Sequence, residues 1–559
     1  MGFFTSSLKH ISRYNQIAQT LVKYGFDDVV AALNLEKSAS LISSIVGDKK
    51  REEIKKFSKY ERVRMAFEEL GPAFVKFGQI LSNRPDYIPS ELIKELEKLQ
   101  DSASPVTFNE IKTIIEQELG QTLEDAFETF DEAPLASASI AQVHLARLKT
   151  GQKVVVKVQR PNIEKIIETD TEIMLNLAGL MEKYMPEYRY LNPIGMVKVF
   201  RDTIRLELDF YHESYNLERF KANFENDPLI HTPAFYKTHS RKRILTMEFI
   251  EGCKISDLEK IRSWGLNPEV IAHKGIDVMF KQIFVQGFFH ADPHPGNVFV
   301  MPDGRLCYLD FGMMGTIVSD DRENLSSIFI GVFTKDARRI VRALRKLSGT
   351  RQFPNEDLLE HRILELVDQY SNLSLKEIKI SSFFNQFKNL IIDYKITVPQ
   401  DFFLLIKAIS TTEGVGLRLY PELNLMKKME PFVQGMLKRK LNPLKFARNI
   451  YLAATDMSQF IKSFPNDLRD IVDKLRYGVI KVDIEHLGLE PLNKTLDKVS
   501  NRISFAIIAA AMMIGSSMIV HAKLPPFYNG IPILGLIGFI LAVFFSLILI
   551  WSIFKHGKF

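Results

Sequence analysis

A chain of 559 residues, 46% hydrophobic and 25% charged, has enough apolar surface for several cores, which excludes disorder as its general state. Its 73 Lys and Arg against 67 Asp and Glu leave a charge of only +6. No basic block is dense enough to form a phosphate stripe, so nucleic acid is not expected as a partner. Two cysteines, Cys253 and Cys307, are too few for a disulfide framework or a cysteine-rich metal site, and a reducing compartment is expected.

Residues 1–50 read as an amphipathic helix with breaks and carry no apolar h-region, so no signal peptide is expected. Met1-Gly2-Phe3-Phe4-Thr5-Ser6 fits the loose myristoylation pattern, which is short enough to arise by chance. Residues 51–130 are helical and charge-rich, interrupted by Gly71-Pro72 and by Arg84-Pro85-Asp86. From 131 to 252 the pattern changes to short β-branched runs around one helical stretch, a small β-rich lobe. Residues 253–440 are helical again, with one strand-and-loop island at 287–315, and 441–502 continue as helix.

The last segment, 503–554, has a different character. Ile503–Ala522 and Ile531–Phe554 are runs of 20 and 24 residues without Asp, Glu, Lys or Arg, separated by the turn-rich Lys523–Gly530. A helix needs about 20 apolar residues to cross a bilayer core. The short break predicts an antiparallel transmembrane hairpin, with a buried soluble hairpin as the competing reading. Lys498 and Arg502 precede the first run, Lys555 and Lys558 follow the second, and only Lys523 lies between. Positive outer flanks predict a multi-pass protein of the inner (cytoplasmic) membrane with both ends and the preceding body in the cytoplasm. Ala509, Gly515, Ser516, Gly535 and Gly538 are small enough for close helix contact.

Four segments carry chemistry. Ile140–Arg147 alternates as a strand, Lys149–Gln152 makes a turn, and Lys153–Gln159 is a second strand. Lys157 shares a face with Val155 and Gln159, and a lysine among valines needs a partner unless it lies on an exposed edge. The small residues of Pro134–Gln142 would let backbone N–H groups approach an anion closely; a plain tight turn is equally in keeping. Arg205–Asn216 sets Glu207, Asp209 and Glu213 on a predicted helix, either as a solvated face or, given Leu206, Leu208, Phe210 and Tyr211, as acids drawn inward. The most specific segment is His290-Ala-Asp-Pro-His-Pro-Gly-Asn297 followed by Asp310-Phe-Gly312. Its spacing matches the kinase catalytic loop, with Asn five residues after Asp, and the D-F-G that follows it. Phosphoryl transfer needs one carboxylate to orient the acceptor, and an amide with a second carboxylate to hold Mg²⁺. A zinc or iron site from His290, Asp292 and His294 competes, but leaves Lys157, the small-residue loop and Asp-Phe-Gly without a role. Arg243–Gly252 would supply the hinge where adenine meets backbone groups around Glu248 and Ile250. Lys76 sits among Phe74, Val75, Phe77 and Ile80 with no adjacent acid. Either it snorkels at the surface, or it takes a partner from Glu207, Asp209, Glu213 or bound phosphates; Gly78 beside it points to close backbone packing.

Together these segments resemble the UbiB/AarF family of atypical kinase-like proteins, whose members support quinone biosynthesis. The resemblance covers about 60–554 and rests on Lys76-Phe-Gly-Gln79 (K-x-G-Q), Leu99-Gln-Asp101, the alanine-rich loop at 135–139, Val-Val-Val-Lys157, Glu207-Leu-Asp209 with Glu213, and the two motifs of the fourth segment. Ser137 departs from the alanine-rich pattern, small for small. The C-terminal hairpin is similar to that of bacterial UbiB members. The resemblance implies an α+β, atypical protein-kinase-like bilobal fold with a helical N-terminal extension and a C-terminal two-helix transmembrane hairpin. It implies ATP and Mg²⁺ as cofactors, with Lys157 on the α/β-phosphates and paired to Glu207, Asp292 as catalytic base, and Asn297 and Asp310 on the metal. Leu135, Ala136, Ser137, Ala138, Ser139, Ile140, Ala141, Gln142 and Val143 would cover the phosphates. Lys76 and Gln79, with Asp209 and Glu213, would gate the cleft where a protein substrate would otherwise dock. Family members look more like ATPases than protein kinases, with transfer to a small-molecule or protein acceptor as the alternative. The partners implied are membrane lipids and quinone precursors or quinone-biosynthesis enzymes.

Overall fold

The computed structural model describes residues 11–32, 54–440 and 490–556, apart from 55, 86, 100–103, 186–188, 190, 372–378 and 529–530, with isolated positions between 454 and 469. The expected segments at 1–10 and 33–53, and most of 441–489, lie outside the described residues. The chain forms two compact units, Met1–Phe446 and Ala447–Phe559.

The first unit begins with helices α1 (Ile11–Lys23), α2 (Lys59–Leu70), α3 (Pro72–Ser82), α4 (Ser90–Leu96) and α5 (Phe108–Leu119). A capping box between Ser58 and Glu61 starts α2. The break at Gly71-Pro72 is a corner: Gly71 takes φ +97°, which a side chain disfavours, and Pro72 opens α3 where its missing N–H costs nothing. Gly78 lies against Leu99, Phe67 and Leu96, and a Cβ there would collide with Leu99. Glycine in the K-x-G-Q segment therefore lets α3 pack closely on its neighbours.

A five-stranded sheet follows, of β1 (Phe127–Phe130), β2 (Ala136–Ser137), β3 (Ala141–Leu148), β4 (Lys153–Gln159) and, later in the chain, β6 (Ile244–Glu248). Its order is β1-β3-β4-β6, with β2 paired to β3, all antiparallel. The strand period of two sends Val154, Val156 and Val158 to one face, where they pack with Ile111, Ile115 and Phe127. Lys157 points to the other face, between Val143 on β3 and Leu245 on β6. Helices α6 (Ile163–Tyr184), α7 (Pro193–Glu207) and α8 (Phe210–Asn223) cross that side. Phe200, Ile204 and Phe210 bury there with Phe74 of α3.

The acidic stretch expected on one helix lies on two. The chain breaks after α7 because the Asp209 carboxylate caps α8 through the Tyr211 N–H (3.0 Å), while the Phe210 N–H donates to the Lys242 carbonyl (3.0 Å). Glu207 thus ends α7 and Glu213 sits in the first turn of α8.

The remainder of the unit is mostly helical, and the island expected at 287–315 is present. A second sheet has the order β5-β10-β9-β7, from β5 (Ile230–His231), β7 (Cys253–Lys254), β9 (Val298–Val300) and β10 (Leu306–Tyr308). Strands β8 (Phe288–His290) and β11 (Met314–Thr316) pair separately, His290 opposite Met314. Around them pack α9 (Pro268–Phe280), continued by a π-helical turn to Gln286, and α10 (Ser319–Thr334), α11 (Ala337–Ser348), α12 (Glu356–Ser371), α13 (Ile380–Asp393), α14 (Gln400–Leu419) and α15 (Leu425–Lys440). Their core is aromatic, with Phe280, Phe288, Phe311, Phe329 and Phe387 fully buried.

The second unit holds α16 (Glu490–His521) and α17 (Ile533–His556). Among the described residues one helix, Val499–His521, is long and apolar enough to cross a membrane, and a shorter apolar stretch runs Ile533–Ile548. The two helices touch through small residues: a Cβ at Gly538 would collide with Ser516, and one at Gly535 with Val520. Gly515 faces open space instead, so it is not part of the contact expected for it.

Candidate active site

The motif segments come together where the five-stranded sheet meets the helical lobe: Lys157 on β4 lies opposite Val143, at the end of the alanine-rich loop, and within ion-pair distance of Glu213 on α8 and of Asp310. Lys157 Nζ lies 3.0 and 2.9 Å from the two Glu213 oxygens and 3.7 Å from Asp310 Oδ2. Burial opposes the lysine's charge, but the Asp310 and Glu213 carboxylates outweigh it and push its ammonium upward, so it stays protonated. Glu213 also accepts from the Phe311 N–H (3.4 Å), and the Asn216 amide donates to the Phe311 carbonyl (2.9 Å). Helix α8 is in this way fastened to the Asp-Phe-Gly segment.

Glu207, expected as the partner of Lys157, pairs with Lys76 instead, at 2.6 Å. The helix break at Asp209 is the reason, because it turns Glu213 rather than Glu207 toward β4. Lys76 is 8% exposed, so it does not snorkel, and it also helps hold Asp310 ionised. Two other residues expected to gate the cleft do structural work nearby. Asp209 caps α8, and the Gln79 amide donates to the Leu99 carbonyl (3.1 Å), tying α3 to the chain just after α4. Asn83, just after α3, reaches Met313 Sδ at 4.0 Å. The K-x-G-Q segment therefore meets the chain that follows Asp310.

Opposite Lys157, the Asp310 Oδ1 accepts from the Gly312 N–H (2.8 Å). Burial raises the cost of its charge, yet Lys157 and that N–H pull its carboxyl down to about 2. The Asn297 amide nitrogen donates to the Asp292 carbonyl (3.4 Å), which leaves its oxygen as the atom a cation would meet. An anionic carboxylate and an amide oxygen are hard donors, and Mg²⁺ takes one or two protein oxygens plus phosphate and water. The residues fit that ion.

They do not fit a zinc or iron site. His290 Nε2–H donates to the Asp310 carbonyl (2.6 Å) and its Nδ1 accepts from the Asp292 N–H (3.1 Å), so both nitrogens hold the backbone. His294 Nδ1 accepts from Gly296 N–H. Among the described residues no group of three His, Cys, Asp or Glu converges to hold a metal.

The alanine-rich loop is a tight hairpin. Leu135 N–H donates to the Val143 carbonyl and Ala138 N–H to the Ala141 carbonyl, both at 2.8 Å. No residue of 135–143 takes positive φ, so the turn needs no glycine. Arg160, which the motifs did not flag, clamps it through the Ala138 carbonyl and the Ser137 hydroxyl, both at 2.8 Å. Ser137 thus has a role that alanine could not fill. Behind the loop, buried Gln142 donates to His144 Nε2 (3.0 Å), whose Nδ1–H donates to the Asp131 carbonyl (2.8 Å). At the hinge, the Glu248 carboxylate accepts from His231 (3.0 Å) and from the Ala234 N–H (2.9 Å), and Ile250 is buried just beyond. The side chain of Glu248 thus joins the two sheets.

His144 carries a test of pH dependence. Burial holds its imidazole below the usual range, and a proton on Nε2 would face the Gln142 amide. The unfolded chain therefore binds a proton that the fold refuses, so stability falls as pH drops through about 6.5. His239, His273 and His290 are lowered by burial too and act in the same direction. The expected result is a melting temperature lower at mildly acidic than at neutral pH, with a shallower slope in His144→Gln. Equal slopes in variant and parent would count against it.

Comparison with known proteins accords with this geometry. Residues 98–344 match the ABC1 atypical kinase-like domain, 363–424 the UbiB helical domain, and 487–555 the ABC1/UbiB kinase-like C-terminal domain. A "Probable protein kinase UbiB" of Marinobacter nauticus is 38% identical over 69% of this chain and 72% of its own. The chain belongs to the ABC1/UbiB family of atypical kinase-like proteins. Another family member of the same description, from Aeromonas salmonicida, is 35% identical over 78% of this chain and 80% of its own. A Clostridium pasteurianum protein described as "Uncharacterized protein in hydrogenase 1 5'region" is 34% identical over 98% of this chain and 99% of its own. Membership gives the cleft a kinase-like context, and the fold is α+β as expected.

Proposed function

We propose that this ABC1/UbiB member binds Mg-ATP in the cleft and hydrolyses it at a membrane, in support of ubiquinone or other quinone biosynthesis. The observation that carries the reading is the cluster of Lys157, Glu213 and Asp310, joined to the Asp292–Asn297 loop by His290, which bonds both the Asp310 carbonyl and the Asp292 N–H. Lys157 holds the phosphates, with Glu213 fixing its position; Asn297 and Asp310 hold Mg²⁺. Bound Mg²⁺ supplies neutralisation of the phosphate charge. Asp292 accepts the proton of the attacking water as the water oxygen bonds to the γ-phosphorus and the bond to the bridging oxygen breaks, its electron pair leaving with ADP. The loop at 135–143 covers the phosphates, and Lys76, anchored on Glu207, occupies the side of the cleft where a peptide acceptor would lie.

The membrane end of the reading is a two-helix hairpin, α16 and α17 in contact at Gly535 and Gly538, with basic flanks keeping both ends cytoplasmic. Membrane lipids and quinone precursors, or the enzymes that handle them, are its partners. The test is the purified full chain in nanodiscs with labelled Mg-ATP, following phosphate release and labelled products together. Release of inorganic phosphate without a labelled acceptor is expected. Label in a protein or small molecule at the rate of ATP consumption would favour the kinase that the relatives' description names; no consumption at all would refute both.

A further inference from the structure

The segment His290–Asn297 contains no Lys or Arg. In phosphoryl transfer the charge that builds on the transferred group and on the leaving oxygen is met by fixed cations. Lys157 serves the nucleotide side of the cleft, so a cation on the Asp292 side has to come from elsewhere in the fold. One is present. Lys407 Nζ, on α14, lies 3.4 Å from Asp292 Oδ2, with the two side chains 28% and 32% exposed.

The helix that presents Lys407 is held on several sides. Its flanking residues Phe403, Leu404, Ile406 and Ala408 are buried in the aromatic core. The helix packs against β11, the strand that follows Asp-Phe-Gly. Gln400 at its start accepts from Arg84, which follows the K-x-G-Q helix (3.5 Å). Further on, the Glu413 carboxylate caps α13 through the N–H groups of Ile380 (2.8 Å) and Ser381 (2.7 Å). A cation on a helix so fixed keeps its place while the cleft fills. The lysine also lies outside the stretch that matches the kinase-like domain, within the stretch that matches the UbiB helical domain.

We infer that Lys407 is the positioning residue of Asp292: it orients that carboxylate for the attacking group and adds the positive charge that the motif loop lacks. An ammonium has three donors; with one directed to Asp292, the others are available to an anionic oxygen in the cleft. The inference rests on the ATP reading above for its chemistry, but the Asp292–Lys407 pair stands on geometry alone.

The experiment uses the full chain in nanodiscs as parent, Lys407→Met, Lys407→Arg, Asp292→Asn and the Asp292→Asn/Lys407→Met double variant. Two readouts are taken, melting without nucleotide and steady-state phosphate release with Mg-ATP. Lys407→Met is expected to lower kcat by about tenfold or more while KM for Mg-ATP stays within about twofold. Lys407→Arg should recover part of kcat, and the double variant should be no slower than Asp292→Asn and melt no lower than the worse single variant. Parent-like kcat in Lys407→Met, or melting shifts that simply add, overturns the inference. If the parent releases no phosphate, the hydrolysis reading fails on its own. Melting then decides the pair: non-additive shifts support it and additive shifts overturn it.

Discussion

Asp310→Asn is expected to abolish most of the metal-dependent nucleotide affinity, by about a hundredfold or more, since even groups that only support a metal ligand cost ten- to hundredfold. The substitution keeps the shape: an amide oxygen can still accept from Gly312 N–H, as the carboxylate does at 2.8 Å. What is lost is the negative charge that Lys157 and that N–H hold in place, with the carboxyl at about 2. The effect should therefore be confined to the metal. Affinity for ATP in the presence of EDTA should change far less than affinity in Mg²⁺, because Lys157 keeps Glu213 at 2.9 Å and stays in position. Fluorescent-nucleotide titration with and without Mg²⁺ reads both numbers, and an unchanged Mg²⁺ dependence would refute the assignment. The same charge has a pH signature. A carboxyl depressed in the fold stabilises it above its ordinary value of 3.8 and ceases to do so as pH falls toward about 2. The parent's advantage in melting over Asp310→Asn should shrink across that interval.

What was legible in the sequence follows from how local each signal is. The strand period of two placed Lys157 opposite Val154, Val156 and Val158, and the sheet has it so. The five-residue spacing from Asp292 to Asn297 is a property of one loop, and the loop closes on itself through the Asn297 amide. Gly78 announced close packing, which Leu99, Phe67 and Leu96 supply. The failures are all long-range. Which of Glu207, Asp209 and Glu213 meets Lys157 depends on where a helix stops, and that stop is set partly by the Lys242 carbonyl, on a segment much later in the chain. Arg160 clamps the alanine-rich loop and Lys407 faces Asp292 only because the fold brings them there. No spacing rule reaches that far. Glu248 is a related case: its position at the hinge was readable, but its bonds to His231 and Ala234 require the second sheet to be docked.

The exchange of partners between the two acids has the second large consequence. Glu213 is nearly buried, its side chain 5% exposed, and its two oxygens are the nearest anions to Lys157. Glu213→Ala removes them and leaves a buried ammonium with only Asp310, at 3.7 Å. Breaking a buried pair from one side costs about 3–5 kcal/mol when no other partner remains, so with Asp310 still near the loss is expected at the lower end, about 3 kcal/mol. Glu207 is 23% exposed, and water can replace part of what it gives Lys76. Glu207→Ala also takes a carboxylate from a buried ammonium, but water reaches the site from the Glu207 side, so the cost is expected to be smaller, about 1–2 kcal/mol. Melting of the two variants without nucleotide measures the difference, with Glu213→Ala below Glu207→Ala. Had α7 continued through Asp209, as the run of acids suggests, the order would be reversed. A Glu207→Ala variant less stable than Glu213→Ala would therefore mean that Glu207, not Glu213, is the acid that holds Lys157 in place.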